Sequence, residues 1–445
     1  MAVLSINVEP LFLDLFICYY ASMFDIHKFS IKNGLRVIVI PQKESPSVTV
    51  VVLVQAGAAY ENKTNNGISH FLEHMCFKGT PKRPTPLAIS SEFENLGASY
   101  SAFTSRDVTG YYGKVAAIHV EHITDLISDM YLNPLFGQNE VEKERGVIIE
   151  EINMYEDQPR AKVSQILEKL MYGNQPAGWD VAGPKENILK IKKSDFINYR
   201  KNHYVAPKTF LIIAGGITPK KAKELASNYF SKISPGKKIK SWSVKDKQTK
   251  LAATSKFKEL DQTHLMMAFK TFPIFDERRF SLALLSDIIG GGMSSRLFQK
   301  VREELGAAYY VGSSSNLYAT HGYMDIFAGV NHAKTETAIS ATISELKDIV
   351  KNGVKSDELS RVKEHRIGNF LLSLETSSDL AFYYGEQEVV TEKILEPQQV
   401  IKRLKSVTKD QIARLARQIL QNKTLNFAII GPYKSADRFR KLLYL

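Results

Sequence analysis

HYVAPKTFLIIAGG (203–216) returns in looser form as QNKTLNFAIIGP (421–432). In each copy a polar lead containing Lys-Thr runs into an apolar stretch that stops at glycine. That is the pattern of a buried strand closed by a turn. Lys208 and Lys423 take equivalent places, 215 residues apart. A chain of 445 residues is too long for one core. The repeat therefore divides it into two α+β domains of roughly 200 residues. They are expected over 23–235 and 256–445, joined by a Lys-rich linker over 236–255 that contains KKIKSWSVKDKQTK (237–250).

Working outward, KFSIKNGLRVIVIPQ places Asn33-Gly34 between alternating residues, a hairpin signal. SVTVVVLVQAGA (47–58) reads as a buried strand, and ASYSAFTSRDVTGYYGKV as two more. Helices are predicted in GISHFLEHMCFKGT (67–80), with Gly79 at its C-terminal turn, in PLAISSEFENLG, in HVEHITDLISDMYLN and in NEVEKERGVIIEEINMYED.

The first of these helices carries the chemistry. His70 and His74 lie four residues apart, on one face, with Glu73 beside them. Two imidazoles so placed reach one Zn²⁺, and the carboxylate can serve its water; this inverts the H-E-x-x-H arrangement. At this chain's His and acid frequencies the pattern is expected by chance roughly once in a hundred such chains. Shifted forward by 215, the three residues fall on Leu285, Ile288 and Ile289 in SLALLSDIIGGG. The fold thus dispenses with the polar groups in its second copy, which confines the chemistry to the first. A third ligand is expected from EKERGVIIEEINMYED. Glu144, Val147, Ile148, Glu151 and Met154 share one helical face, while Glu150 lies about 100° away. Glu151 is the expected ligand, and Glu144, two turns earlier, a carboxylate that orients an imidazole.

HFLEHMCFKGT, followed 77 residues after His74 by Glu151, closely resembles the pitrilysin and mitochondrial-processing-peptidase family of inverted zincins. So do LGASYSAFTSRDVTGYYG, GGGMSSRLFQKVREELGAAYYVGSSS and LETSSDLAFYYGEQ, and the length fits the two-domain subfamily. The resemblance implies two homologous domains, each a mostly antiparallel sheet covered by helices. It implies a zinc endopeptidase acting on unfolded peptides or presequences. His70, His74 and Glu151 would bind one Zn²⁺ per chain, Glu73 would activate a zinc-bound water, and Glu144 would assist. Arg302 and Tyr309 would bind substrate backbone and the developing oxyanion. SYSAFTSRD resembles a substrate-pairing edge strand, with Ser101-Ala102 where Asn-Ala is usual. A homodimer with shared sites is implied, or a heterodimer with an inactive relative. The competing reading within the family is a non-catalytic scaffold subunit.

The formal charge of +12 favours acidic partners, but no Lys/Arg array interleaved with aromatics tracks a nucleic-acid backbone. GGGMSSRL (290–297) lacks phosphate-loop spacing and reads as a helix-ending turn. Two cysteines, Cys18 and Cys76, fit a reducing, cytoplasmic setting. Cys76 points about 200° away from His74 and reads as a buried thiol. LFLDLFICYYAS (11–22) has no preceding Lys or Arg and is interrupted by Asp14, so neither a signal peptide nor a membrane span is expected. Residues 1–22 are expected to lie outside the fold.

Overall fold

The computed structural model describes residues 25–445, so the expected extension, Cys18 and the first two residues of the expected first domain lie outside it. In the first half, β1 (His27–Ser30) and β2 (Arg36–Pro41) form the expected hairpin, and β3 (Ser47–Val54) is buried along seven of its eight residues. The hairpin loop spans 31–35, with Gly34 at φ 92° and the Asn33 amide donating to the Phe230 carbonyl at 2.9 Å. Helices α1 (Ile68–Met75) and α2 (Pro86–Asn95) precede β4 (Ser99–Thr104) and β5 (Thr109–Ala116). Then come α3 (Val120–Leu132), α4 (Gln138–Asp157), α5 (Pro159–Tyr172), α6 (Lys193–His203), β6 (Thr209–Gly215) and α7 (Pro219–Phe230).

The second half runs β7 (Ala252–Phe257), β8 (Thr263–Lys270), α8 (Arg279–Gly290), β9 (Ala308–Leu317) and β10 (Gly322–Val330). It continues with α9 (Thr335–Asn352), α10 (Ser356–Leu372), α11 (Ser377–Thr391), α12 (Pro397–Ser406), α13 (Lys409–Ile419) and β11 (Leu425–Gly431). The chain between α7 and β7 has no regular structure, but β7 starts inside the expected linker span. The lysines around it hid a short strand that exists because β11 pairs with it.

The repeat read from the sequence is a repeat of topology. The sheets are ordered β1-β2-β6-β3-β5-β4 and β7-β11-β8-β10-β9. In both, the pair that closes the half is parallel, β2 with β6 and β7 with β11, and every other pairing is antiparallel. β4 and β9 are the matching free edges. An arginine clamp repeats as well, buried in the first half and half-buried in the second. Arg83 meets Asp125 (2.7 Å) and Asp129 (2.9 Å) of α3, and Arg296 meets Asp348 (2.7 Å) and Glu345 (3.9 Å) of α9. In each half the arginine ends the segment after the helix and pins it to the helix that follows the hairpin.

Each sheet packs one face on its own helices and the other on a helix from the opposite half. From the first half, α5 lays Val163, Leu167 and Met171 against Met266, Ala268, Ala428 and Ile430 of the second sheet. From the second half, α11 lays Leu380, Ala381 and Tyr384 against Val51, Leu53 and Ile212 of the first. Gly385 lets α11 come this close, since a Cβ there would stand 3.0 Å from Leu53 and 3.1 Å from Ile212. Such mutual cover removes both strands' outer faces from water and ties the halves into one unit. Leu380 is fully buried in that contact. Leu380→Ala should cost about 2–5 kcal/mol, read as a lower urea midpoint, with faster proteolysis in the first half although the change lies in the second.

Candidate metal centre

α1 turns its two faces to different partners. Ile68, Phe71, Leu72 and Met75 enter the first core, and His70, Glu73 and His74 face away from it. The helix starts at Gly67, whose φ of 100° and close approach to the Ala182 carbonyl exclude a side chain. Its free N–H groups are met by the buried Glu61 carboxylate, which accepts from Gly67 N (2.9 Å), Ser69 N (2.8 Å) and Asn66 Nδ2 (2.8 Å). A carboxylate suits a helix N-terminus. Burial pushes the Glu61 carboxyl up, opposed by those hydrogen bonds. Gly79 stands beyond the helix end in a left-handed turn at φ 123°, not at the residue after the Cys76 cap.

α4 crosses beside α1 and brings Glu151 to the histidines. Nε2 of His70 and Nε2 of His74 are 3.3 Å apart, and each lies 3.7 Å from Glu151 Oε2. Tetrahedral zinc with bonds of about 2.0–2.1 Å sets its ligand atoms about 3.3–3.4 Å apart. The three donors therefore fit one such ion with small adjustments, and the set is two nitrogens and one carboxylate, as in hydrolytic zinc sites. Glu150 is exposed, as the face argument requires. That argument was wrong about two neighbours: Val147 and Met154 are exposed, and the face is instead lined by Val141, Glu144, Arg145 and Ile148. A twenty-residue helix packed along part of its width buries a narrower stripe than its apolar residues suggest.

The remaining polar groups prepare this cluster. His74 Nδ1 donates to Glu144 Oε1 at 2.8 Å, which leaves Nε2 a lone pair directed at the cluster. Lys78 holds the other oxygen of Glu144 at 2.6 Å. Burial opposes ionisation of Glu144, but the bonds from His74 and Lys78 outweigh it and keep its pKa low. Burial and the neighbouring His74 bring His70 down to about 4, so its imidazole is neutral at pH 7. Burial also works against charge on His74, yet Glu144, Glu73 and Glu151 together raise its pKa. Glu73 accepts from the Thr104 hydroxyl on β4 at 2.6 Å, and burial raises its pKa. Sequence reasoning missed Glu61, Lys78 and Thr104. Only Glu61 and Lys78 lie near the motif, and nothing in their spacing marks them.

Other expected residues fall elsewhere. Cys76 is a buried thiol, its pKa pushed up to about 11 by burial, with Sγ 3.4 Å from the Tyr111 hydroxyl. Arg302 stacks on Phe298, and Tyr309 is exposed on β9; neither hydrogen-bonds to the metal-site residues of its own chain. GGGMSSRL is the turn that ends α8. Leu285, Ile288 and Ile289 lie in the second core. The linear offset of 215 thus misses the helix register, because the segment between strand and helix is shorter in the second half. No described helix is long and apolar enough to cross a membrane.

The family model described as Insulinase (Peptidase family M16) matches residues 36–185, and the Peptidase M16 inactive domain matches 190–365. A Bacillus subtilis (strain 168) protein named uncharacterized zinc protease YmxG is 33% identical over 408 residues, 92% of this chain and 98% of its own. A Rickettsia felis protein named uncharacterized zinc protease is 32% identical, over 92% of this chain and 98% of its own. The crystal structure of a protease from Helicobacter pylori superposes with a TM-score of 0.87 at 20% identity, covering 92% of this chain and all of that one, a likeness of fold.

Removing the Glu144 anchor should loosen the cluster without deleting a donor. Glu144→Gln is expected to weaken zinc binding about 10–100-fold, measured by competition with a calibrated chelator, with the melting temperature little changed.

Proposed function

The chain belongs to the insulinase peptidase family, M16, and from that membership we propose that it is a zinc metalloendopeptidase cleaving unfolded peptides. One observation carries this reading. The His70, His74 and Glu151 donors converge at zinc-ligand spacing, and Glu73, held by Thr104, stands beside them on the same helix face. This arrangement supports the catalytic reading over that of a scaffold subunit.

His70, His74 and Glu151 would hold the ion, which supplies Lewis acidity to polarise a carbonyl and acidify water. Everything else falls to the protein. Glu73, its Oε2 tied by the Thr104 hydroxyl, takes a proton from the attacking water on Oε1 and delivers it to the leaving amine. Its raised pKa moves it toward the working pH, where a carboxyl both accepts and returns a proton well. Glu144 keeps the His74 ring oriented. The free edge of β4 offers backbone N–H and C=O groups to an extended peptide, which would add as another strand beside Glu73. Pairing of this kind reads backbone, so Ser101-Ala102 serves as well as another pair.

Tyr309 and Arg302 complete the reading as groups for the substrate backbone and the oxyanion. Within one chain neither hydrogen-bonds to His70, Glu73, His74 or Glu151, which favours a second chain as their point of use. A homodimer with two shared sites needs only this sequence; a heterodimer would need an inactive relative.

Glu73→Gln should keep zinc and lose at least about 10²-fold in cleavage of a quenched peptide, and phenanthroline should abolish wild-type cleavage until zinc is restored. Cleavage by the variant at the wild-type rate would refute the assigned base. Mixing Glu73→Gln chains with Tyr309→Phe chains should restore part of the activity. No rescue across a range of ratios would refute shared sites between copies of this chain.

A further inference from the structure

The second half keeps a cavity where the first half has its metal cluster. α8 stands where α1 stands, α10 where α4 stands, and the edge strand β9 where β4 stands. Between them lies a space of about 590 Å³. On α8 it is lined by Ala283 and Asp287, which share the i, i+4 spacing of His70 and His74. On α10 and its C-terminal cap it is lined by Arg366 and Ser373, which share the seven-residue spacing of Glu144 and Glu151. The repeated arginines support the α8 register independently, since Arg83 follows His70 by thirteen residues and Arg296 follows Ala283 by the same number. The donors for a metal are gone, but the cavity between the three elements remains.

Its chemistry is now cationic and apolar. Arg279 donates to the Ile274 carbonyl at 3.0 Å and rests on the Phe280 ring, and among the described residues no carboxylate stands within ion-pair distance of it. The nearby Glu277 is held by Arg403 at 3.1 Å. Asp287, the one acid in the lining, is neutralised by Arg366 at 2.8 Å. His365, whose Nε2 lies 3.0 Å from the Asn369 amide nitrogen, also lines it. Phe280, Leu317 and Val400 supply an apolar wall continuous with the second core. A half-buried guanidinium with no carboxylate in ion-pair contact among the described residues, beside an apolar wall, matches an anion carried on an apolar stem.

We propose that this cavity is a second, non-catalytic binding site for a carboxylate on an apolar stem, its head held by Arg279 and its stem laid on Phe280, Leu317 and Val400. The site is independent of the peptidase reading. The carboxylate has two sources, the C-terminus of a short peptide or a free aliphatic acid, and planar two-point pairing with a guanidinium suits both.

Calorimetric titration of the full chain with octanoate, acetyl-Gly-Leu as the free acid, and acetyl-Gly-Leu amide tests this. At least one acid should bind with a Kd below about 1 mM, and the amide at least tenfold more weakly than its acid. Tighter binding of the dipeptide acid identifies peptide C-termini as the source, and tighter binding of octanoate identifies aliphatic acids. Arg279→Gln should weaken the acids at least tenfold while cleavage of a quenched peptide is unchanged. If that variant melts early, Val400→Phe, which narrows the cavity without removing a charge, is judged by the same tenfold criterion. The proposal fails if neither acid binds, if the amide binds as well as its acid, or if the stable variant keeps wild-type affinity.

Discussion

The position of Glu151 depends on a contact that the next helix of its own half, α5, makes with the other half. α4 ends at Asp157, and after Gln158 the chain enters α5 at Pro159, with no flexible connection between them. α5 is fixed because its apolar stripe is buried on the outer face of the second sheet. The end of α4 is fixed again by Lys256 on β7, which pairs with Glu156, and by Lys258 just beyond that strand, which pairs with Asp157. The Glu151 carboxylate is therefore positioned through the docking of the two halves. The second half thus supports the candidate site although, among the described residues, it adds no member to the His70, His74 and Glu151 group.

The reciprocal helix, α11, does the same for the sheet that carries the site. β3 and β6 are buried on both faces, with α11 supplying one cover and the first half's own helices the other. A sheet so covered reads as continuous apolar runs, as SVTVVVLV and TFLIIAG do. Cooperative unfolding of the two halves follows from this exchange, because neither sheet can lose its partner helix without exposing a core.

Within the site, the electrostatics divide the labour between two like residues. His70 and His74 sit four residues apart on one helix, yet only His74 has an anchored ring. The Nδ1 of His70 is buried without a partner among the described residues, whereas that of His74 meets a carboxylate held by Lys78. Burial and the neighbouring His74 lower the pKa of His70, whereas the carboxylates around His74 raise its own, and as ligands to a cation both rings would be neutral.

Much of this was legible before any coordinates. The i, i+4 spacing of His70 and His74 with Glu73 fixes their common face by helix geometry alone. The repeat around Lys208 and Lys423 announces two similar halves, and the position of Glu151 follows from the angle between neighbouring helix residues. Local pattern could go no further. It placed Val147 and Met154 on the inner face because it cannot know how wide a stripe a partner helix covers, and it carried the offset of 215 onto Leu285, Ile288 and Ile289 because spacing along a chain does not preserve register across loops of different length. It was silent on Glu61, Thr104 and the crossing of α5 and α11, since these are contacts between segments far apart in sequence. Periodicity is a property of neighbours along the chain and determines which residues share a face; only packing decides what that face meets.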